Sequence, residues 1–227
     1  GLDSELLLVN GRASSEFNAR IIAQRMRAPD ISSGPPVVLI GYSKGIADIL
    51  EALSLLGSEL AHLAAVVSVA GVVNGTPLAD DQNAFMRGVI DRIPLSGCPG
   101  SADDGDAIGS LSYAHRQAWL AKHPPEQGPL YLSIGAYGRI EQMSKVNKPT
   151  YRMLSKLDAR NDGQILYHDA LMPNSTLLAF ARSDHLAIAL PVDEDDGVLI
   201  RQAIDRNSFP RAELLKALVI YLQQLHD

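Results

Sequence analysis

The segment over residues 37–56 constrains the fold of this chain more than any other. Residues 37–40 (Val-Val-Leu-Ile) form a continuous apolar run, which is typical of a strand covered on both faces of a sheet. The pentapeptide at 41–45, Gly-Tyr-Ser-Lys-Gly, follows, and apolar residues then recur at helical spacing from Ile46 to Leu53. A buried strand that turns within a few residues into an amphipathic helix predicts a strand–helix unit of an α/β fold.

Strand and helix signals alternate along the rest of the chain, which predicts a mostly parallel sheet flanked by helices. The other strands are expected at four short apolar runs, residues 6–9, 63–70, 130–134 and 176–180. Ser14 or Ser15 is expected to cap a helix, because serine accepts hydrogen bonds from the free amides of a first turn. A closing helix after Pro210 is expected to bury five leucines, Leu214, Leu215, Leu218, Leu222 and Leu225.

The middle of the chain differs in composition and predicts an insertion in the core. Residues 74–128 are rich in glycine, proline and aspartate, and two helices are expected within them, at about 79–92 and about 110–123. These helices carry an apolar set, Phe85, Met86, Val89, Ile90, Trp119 and Leu120. We therefore assign residues 1–73 and 129–227 to one α/β core and residues 74–128 to the insertion.

Composition and charge exclude several classes of protein. The chain has 20 Lys and Arg against 26 Asp and Glu, and no basic block is interleaved with aromatic residues, so nucleic-acid binding is not expected. The longest near-apolar run, residues 63–73, is about half the length of a transmembrane helix, so no integral membrane segment is expected. The single cysteine, Cys98, forms neither an internal disulfide nor a cysteine-based zinc site. The sequence indicates neither a compartment nor an oligomeric state.

The pentapeptide at 41–45 matches G-x-S-x-G, and its place between a strand and a helix is the setting of a nucleophile elbow. There a strained turn presents a serine hydroxyl above the sheet, the flanking glycines let the backbones approach, and the helix N-terminus favours an oxyanion. With residues 75–80 (Gly-Thr-Pro-Leu-Ala-Asp), 161–163 (Asn-Asp-Gly) and 184–186 (Asp-His-Leu), the chain resembles the lipase and esterase branch of the α/β-hydrolase superfamily. Lys44 departs from that pattern, since many lipases have methionine after the serine.

The resemblance implies a carboxylic ester hydrolase in which an acid and then a histidine follow the serine along the chain. Ser43 would be the nucleophile, and it needs a general base because a serine hydroxyl reacts weakly near neutral pH. His185 is the expected base, since it follows the last strand in a short loop where this superfamily places its base. Asp162 is the expected acid, with Asp158 and Asp169 as alternatives.

The resemblance also implies two backbone donors for the oxyanion. The Lys44 amide would be one of them. The second comes, in this superfamily, from a loop after an earlier strand, whereas only one strand–helix unit, residues 6–27, precedes the elbow strand here. We expect that the first strands and the second donor are missing from this sequence and lie upstream in the natural protein. The competing interpretation makes Asn10-Gly11 the oxyanion loop of a minimal hydrolase.

The resemblance further implies that the insertion is a lid-like wall over the serine. The expected contacts of the substrate are Tyr42, Phe85, Met86 and Trp119. Hydrophobic acyl esters, lipids or polyesters are then the expected substrates, and small soluble esters are the alternative. No cofactor is expected. Acyl transfer by the same three residues and a non-catalytic binding protein of this fold are the competing functions.

Two acidic clusters, at residues 103–106 and 193–196, bring calcium into consideration, because carboxylate oxygens suit that ion. Neither cluster has the spacing of an EF-hand loop, so we expect solvated loops and no metal. Similar lipases carry a calcium ion near the histidine loop, so the second cluster stays open.

Overall fold

The computed structural model describes residues 3–80, 104–191 and 209–225, and it divides the chain into two compact units. The first unit comprises residues 1–135 and 168–179, and the second comprises residues 136–167 and 180–227. The described part of the predicted insertion, including residues 104–128, belongs to the first unit together with most of the sheet. The boundaries 74–128 for a separate insertion stay a prediction.

Four parallel strands form the sheet, in the order in which they occur in the chain. They are β1 (Val37–Tyr42), β2 (Leu63–Val69), β3 (Leu130–Ala136) and β4 (Thr176–Ala181). In the register of β1 on β2, Val37 lies opposite Leu63, and Tyr42 lies opposite Val69. Strand β2 is buried along nearly its whole length, as expected of an apolar strand inside a parallel sheet. The predicted α/β fold with a mostly parallel sheet is confirmed.

Residues 6–9 form no strand, so this part of the prediction was wrong. A strand exists only where a neighbour takes up its amides and carbonyls, and none of the four described strands pairs with this segment. Its side chains alternate, because Leu7 and Val9 pack on the core while Leu6 is 83% and Leu8 57% exposed. The apolar run therefore adopts the in-and-out pattern of an extended segment without belonging to the described sheet.

The helices predicted after Ser14, after Ser43, at about 110–123 and after Pro210 are present, whereas two short helices, Pro29–Ser32 and Lys148–Leu154, were not predicted. They are α1 (Ser15–Met26), α2 (Pro29–Ser32), α3 (Lys44–Leu56), α4 (Pro77–Asp80), α5 (Tyr113–Lys122), α6 (Lys148–Leu154) and α7 (Arg211–Gln224). Ser14 is the residue that caps α1, since its Oγ accepts a hydrogen bond from the Phe17 amide at 3.1 Å. The expected helix at about 79–92 lies outside the described residues beyond Asp80, and Phe85 and Met86 lie outside them as well.

The core of the first unit lies where α1 and α3 pack on one another and on β2. Its largest members include Ile22, Ile46, Leu50, Leu53, Leu56, Val66 and Tyr131. Helix α7 buries only Leu218 and Leu222, so the expectation of five buried leucines was wrong: Leu214 is partly buried, and Leu215 and Leu225 are about half exposed. Helical spacing therefore identified an apolar face of α7 but overestimated how many of its leucines are buried. Within the described ranges, no helix combines the length and the apolar character needed to cross a membrane.

A buried ion pair fastens α5 to α3. The Arg116 side chain is fully buried, and its Nη1 donates to Glu51 Oε1 at 2.9 Å while its Nε donates to the Val73 carbonyl at 3.1 Å. The guanidinium also lies 4.8 Å from the centre of the Trp119 ring. Burial raises the pKa of Glu51 to about 7, because desolvation of the carboxylate outweighs the attraction of Arg116. We expect α5 to stay packed on α3, since moving it would separate two buried charges.

Candidate active site

Ser43 alone makes the turn from β1 to α3, because the strand ends at Tyr42 and the helix begins at Lys44. Its backbone has φ 53° and ψ −126°, a conformation that side-chain-bearing residues rarely adopt. Such strain costs about 1–3 kcal/mol and persists only where the surroundings enforce it. Here the Ser43 amide donates to the Val69 carbonyl at 3.2 Å, and the Ser43 carbonyl accepts from the Val72 amide at 3.0 Å. The neighbouring strand therefore holds the serine in the strained turn.

The two glycines of the pentapeptide are not equivalent. A Cβ at Gly41 would lie 2.7 Å from the backbone nitrogen and Cα of Ile46, so glycine is required where the helix passes over the strand. A Cβ at Gly45 would meet nothing within 4 Å. The expectation that both flanking glycines serve close backbone approach is therefore correct for Gly41 and wrong for Gly45.

This difference gives a matched pair of variants. We expect Gly41→Ala to lower the free energy of unfolding by about 1–3 kcal/mol or more, because the added methyl group collides with backbone that cannot rotate away. Gly45→Ala is expected to leave it unchanged or to raise it by up to about 1 kcal/mol, because alanine favours the first turn of α3. Denaturant unfolding of both purified variants measures the difference. Equal destabilisation by the two substitutions would contradict this account of the elbow.

A buried histidine–carboxylate pair forms in the second unit. His185 Nδ1 lies 2.8 Å from Asp162 Oδ2, and each side chain is only 2% exposed. Asp162 Oδ1 accepts from the amides of Gln164 at 2.9 Å and Ile165 at 2.8 Å, which fixes the plane of the carboxylate. An ionised carboxylate only accepts hydrogen bonds, so His185 Nδ1–H donates to Asp162 and the imidazole presents the lone pair of Nε2 as the proton acceptor.

Asp184, a residue for which the sequence predicted no role, anchors the loop that carries His185. This fully buried carboxylate accepts from the Ser144 amide at 2.6 Å and the Ala187 amide at 2.7 Å, with Asn147 Nδ2 at 3.4 Å. The His185 amide in turn donates to the Asp162 carbonyl at 2.8 Å. The available signal was an acidic residue beside a histidine, directly before the apolar run at residues 186–190, where burial of the charge requires donors.

The alternative acids have other partners. Asp158 pairs with Arg160 at 2.8 Å. Asp169 accepts from the Tyr113 hydroxyl and lies 3.6 Å from His168 Nε2. Burial raises the pKa of Asp169, against the effect of the Tyr113 hydroxyl that favours its ionised form. Of the three carboxylates considered for the acid, the structure therefore brings Asp162 to His185.

The predicted substrate contacts of the first unit lie in two places. Tyr42 is half-buried and directly precedes Ser43. Trp119 stacks on His123, with ring centres 4.5 Å apart, and lines a crevice with Leu50 and Leu53, which lie two turns or more along α3 from the serine. Contact of either side chain with a substrate stays a prediction.

The sequence predicted that the acidic clusters at residues 103–106 and 193–196 are solvated loops that hold no metal. The structure describes residues 104–106 of the first cluster. Asp104 of the first acidic cluster accepts from the Ser14 amide at 2.7 Å and from the Ser14 hydroxyl, so its carboxylate holds the start of α1. Among the residues that the structure describes, no group of three or more His, Cys, Asp or Glu is placed to hold a metal ion. Residues 193–196 lie outside the described part of the chain.

The parallel sheet, the strained serine between β1 and α3, and the histidine after β4 define an α/β-hydrolase fold of the kind found in esterases and lipases. The resemblance inferred from the sequence is confirmed by solved structures of esterases and lipases. A carboxyl esterase from a metagenome is 36% identical, with a TM-score of 0.85, over 97% of this chain and 65% of its own. The chain thus spans slightly less than two thirds of that esterase.

More distant structures share the fold. The mature Bacillus licheniformis lipase BlEst2 is 20% identical, with a TM-score of 0.61, over 77% of this chain and 68% of the lipase. Phospholipase PlaB from Legionella pneumophila is 13% identical, with a TM-score of 0.54, over 93% of this chain and 49% of its own. No family model and no curated protein matches the chain.

Proposed function

We propose that this chain carries the catalytic machinery of a serine carboxylic ester hydrolase that works through an acyl-enzyme intermediate. The observation that carries the proposal is the backbone of Ser43, a strained non-glycine residue at the junction of β1 and α3. Such strain concentrates at functional sites, because it is costly and serves to present one side chain. The metagenomic carboxyl esterase at 36% identity supports the same reaction class.

In the proposed reaction, Ser43 Oγ attacks the ester carbonyl carbon while His185 Nε2 takes the hydroxyl proton. The Asp162 carboxylate holds the imidazole in the required tautomer and stabilises the imidazolium. The Lys44 backbone amide donates to the oxyanion, and His185 returns the proton to the leaving alcohol. A water molecule then attacks the carbonyl carbon of the acyl-enzyme while His185 Nε2 takes its proton. The bond to Ser43 Oγ breaks, His185 returns the proton to Ser43, and the carboxylic acid is released. The proposal requires Ser43 Oγ and His185 Nε2 to come within about 2.6–3.2 Å.

The proposed substrates are esters with a hydrophobic acyl chain, including lipids or polyesters. This substrate class is supported by the apolar residues of the predicted insertion. One of them, Trp119, lies in the first unit beside Leu50 and Leu53 of α3. Acyl transfer to an alcohol uses the same three residues, so it differs from hydrolysis only in the group that attacks the acyl-enzyme.

Hydrolysis of p-nitrophenyl esters of graded acyl length tests the proposal and measures the acyl preference. We expect turnover and covalent labelling by a fluorophosphonate, which reacts with activated serines. A folded protein that neither hydrolyses the esters nor takes up the label would make the chain a non-catalytic member of the fold. Ester products that appear when alcohols are added would assign acyl transfer instead.

The assignment of the acid gives a prediction of its own. Asp162→Asn is expected to lower turnover about 10³–10⁴-fold, because an amide in place of the carboxylate favours the wrong tautomer of His185. The matched control is Asp158→Asn, at the carboxylate that pairs with Arg160. Steady-state rates with one p-nitrophenyl ester compare the two. A large loss in Asp158→Asn together with an active Asp162→Asn would transfer the role of the acid to Asp158.

A further inference from the structure

Asn147 stands directly before α6, in the position where an asparagine commonly caps a helix. Its side chain makes no capping bond to the first turn of α6, although the residue is only 1% exposed. A buried amide side chain needs partners for both its donor and its acceptor. These partners lie in two other segments of the second unit, the acid loop at residues 161–165 and the base loop at residues 183–187.

The nitrogen of the Asn147 side chain faces the base loop. Nδ2 lies 3.4 Å from Asp184 Oδ2, which also accepts from the Ser144 amide at 2.6 Å. Asp184 is fully buried and directly precedes His185. Because a carboxylate accepts hydrogen bonds, the amide nitrogen of Asn147 and not its oxygen is placed on this side.

The oxygen of the Asn147 side chain faces the acid loop. Oδ1 accepts from Gln164 Nε2 at 3.1 Å, and the Gln164 backbone amide donates to Asp162 Oδ1 at 2.9 Å. Gly163 packs on the same side chain, since a Cβ there would lie 2.8 Å from Asn147 Cβ, and its φ of 93° favours glycine. The turn that carries Asp162 therefore lies directly against Asn147.

We propose that Asn147 is a positioning residue, which sets the orientation of Asp162 relative to His185 by bonding the acid loop and the base loop at the same time. This inference rests on the proposed ester hydrolysis. The connection through Asn147 adds to the direct contacts of the loops, which include the bond from the His185 amide to the Asp162 carbonyl at 2.8 Å. A group displaced by about 1 Å can lower turnover about 10²-fold, which gives such a connection a catalytic use.

Two variants interrupt the connection at different points. Asn147→Leu keeps the approximate size of the side chain and removes both its donor and its acceptor. Gln164→Met removes the amide group that bonds Asn147, while the backbone amide at this position still donates to Asp162. The matched control is Thr150→Val, because Thr150 is as buried as Asn147 and its Oγ1 donates to the Asn147 backbone carbonyl at 3.0 Å rather than to either loop.

The measurements are kcat and KM for a p-nitrophenyl ester, Tm, and the proton NMR resonance of His185 Nδ1–H, which a hydrogen bond to a carboxylate shifts far downfield. We expect Asn147→Leu to lower kcat about 10- to 100-fold and Gln164→Met about 3- to 10-fold, with KM nearly unchanged. The downfield resonance should move or broaden in both variants. Thr150→Val should lower Tm by about 2–4 °C, for the loss of one buried hydrogen bond, and keep the wild-type kcat and resonance.

The double variant Asn147→Leu/Gln164→Met shows whether the two residues act through one connection. Its kcat should equal that of Asn147→Leu alone, because the bond that Gln164 would lose is already absent. A further loss as large as that of Gln164→Met by itself would show independent effects and overturn the connection to the acid loop.

The outcomes separate positioning from stability and from the reaction itself. Wild-type kcat and an unchanged Nδ1–H resonance in folded Asn147→Leu would overturn the proposal, as would an equal loss of kcat in Thr150→Val. If Asn147→Leu does not fold, Gln164→Met decides alone, since it replaces a half-buried side chain. A wild-type protein without ester turnover and without fluorophosphonate labelling would overturn the proposed function, whereas the resonance would still report whether Asn147 orients the pair.

Discussion

Replacing Ser43 by alanine is expected to lower ester turnover about 10⁴–10⁶-fold, the loss that follows removal of a triad nucleophile. The free energy of unfolding should change little, because alanine keeps the Cβ and the strained backbone while losing only the hydroxyl. The measurement is kcat/KM for a p-nitrophenyl ester, together with a denaturant unfolding curve for each protein. Substantial turnover in a folded Ser43→Ala variant would contradict the proposed function.

His185→Ala is expected to cause a loss of similar size, because the nucleophile and its base act as a unit whose effects are not additive. A matched control exists in His168→Ala, since His168 is also a histidine near a carboxylate, at 3.6 Å from Asp169, but is half exposed. The control should retain wild-type turnover. Fluorophosphonate labelling should be lost in both variants. Ser43→Ala lacks the nucleophile that the label modifies, and His185→Ala lacks the base that activates it.

The second large effect concerns stability. Arg116→Met is expected to lower the free energy of unfolding by about 3–5 kcal/mol near pH 8, because Glu51 would be left buried without its cation. The matched control is Arg27→Met, which breaks the exposed pair of Arg27 with Glu59 and should change stability little. Denaturant unfolding of both variants checks the comparison. Equal losses in the two would show that burial of the Glu51–Arg116 pair has no energetic consequence.

The same variant carries a pH dependence with a definite sign. Burial raises the pKa of Glu51 from an unfolded value of 4.5 to about 7, and loss of Arg116 should raise this pKa further. The folded state then holds the proton where the unfolded state has released it, so stability is lost as pH rises from about 4.5 through the raised pKa. Arg116→Met should therefore be less destabilised near pH 5 than near pH 8. The double variant Glu51→Gln/Arg116→Met should recover part of the loss near pH 8, since no unpaired charge remains.

The features that could be predicted from the sequence are local ones. The apolar runs that became β1 to β4, the serine cap of α1 and the turn at Ser43 were all predictable, because each depends on neighbours within a few residues. The run at residues 6–9 shows the limit of that reasoning, since an apolar segment becomes a strand only when another strand pairs with it. The closing helix α7 shows the same limit, because helical spacing predicts which residues share a face but not how many of them are buried.

Which polar groups meet depends on how distant parts of the chain pack together. Asp162 and His185 are 23 residues apart, and only the resemblance favoured Asp162 over Asp158 and Asp169; the structure adds the contact of 2.8 Å between Asp162 and His185. The buried partner of Glu51, and the donors around Asp184, had no local signal because they come from distant parts of the chain. Burial removes water from such charges, so each must find donors across the fold, and that requirement is met by three-dimensional packing rather than by any pattern along the chain.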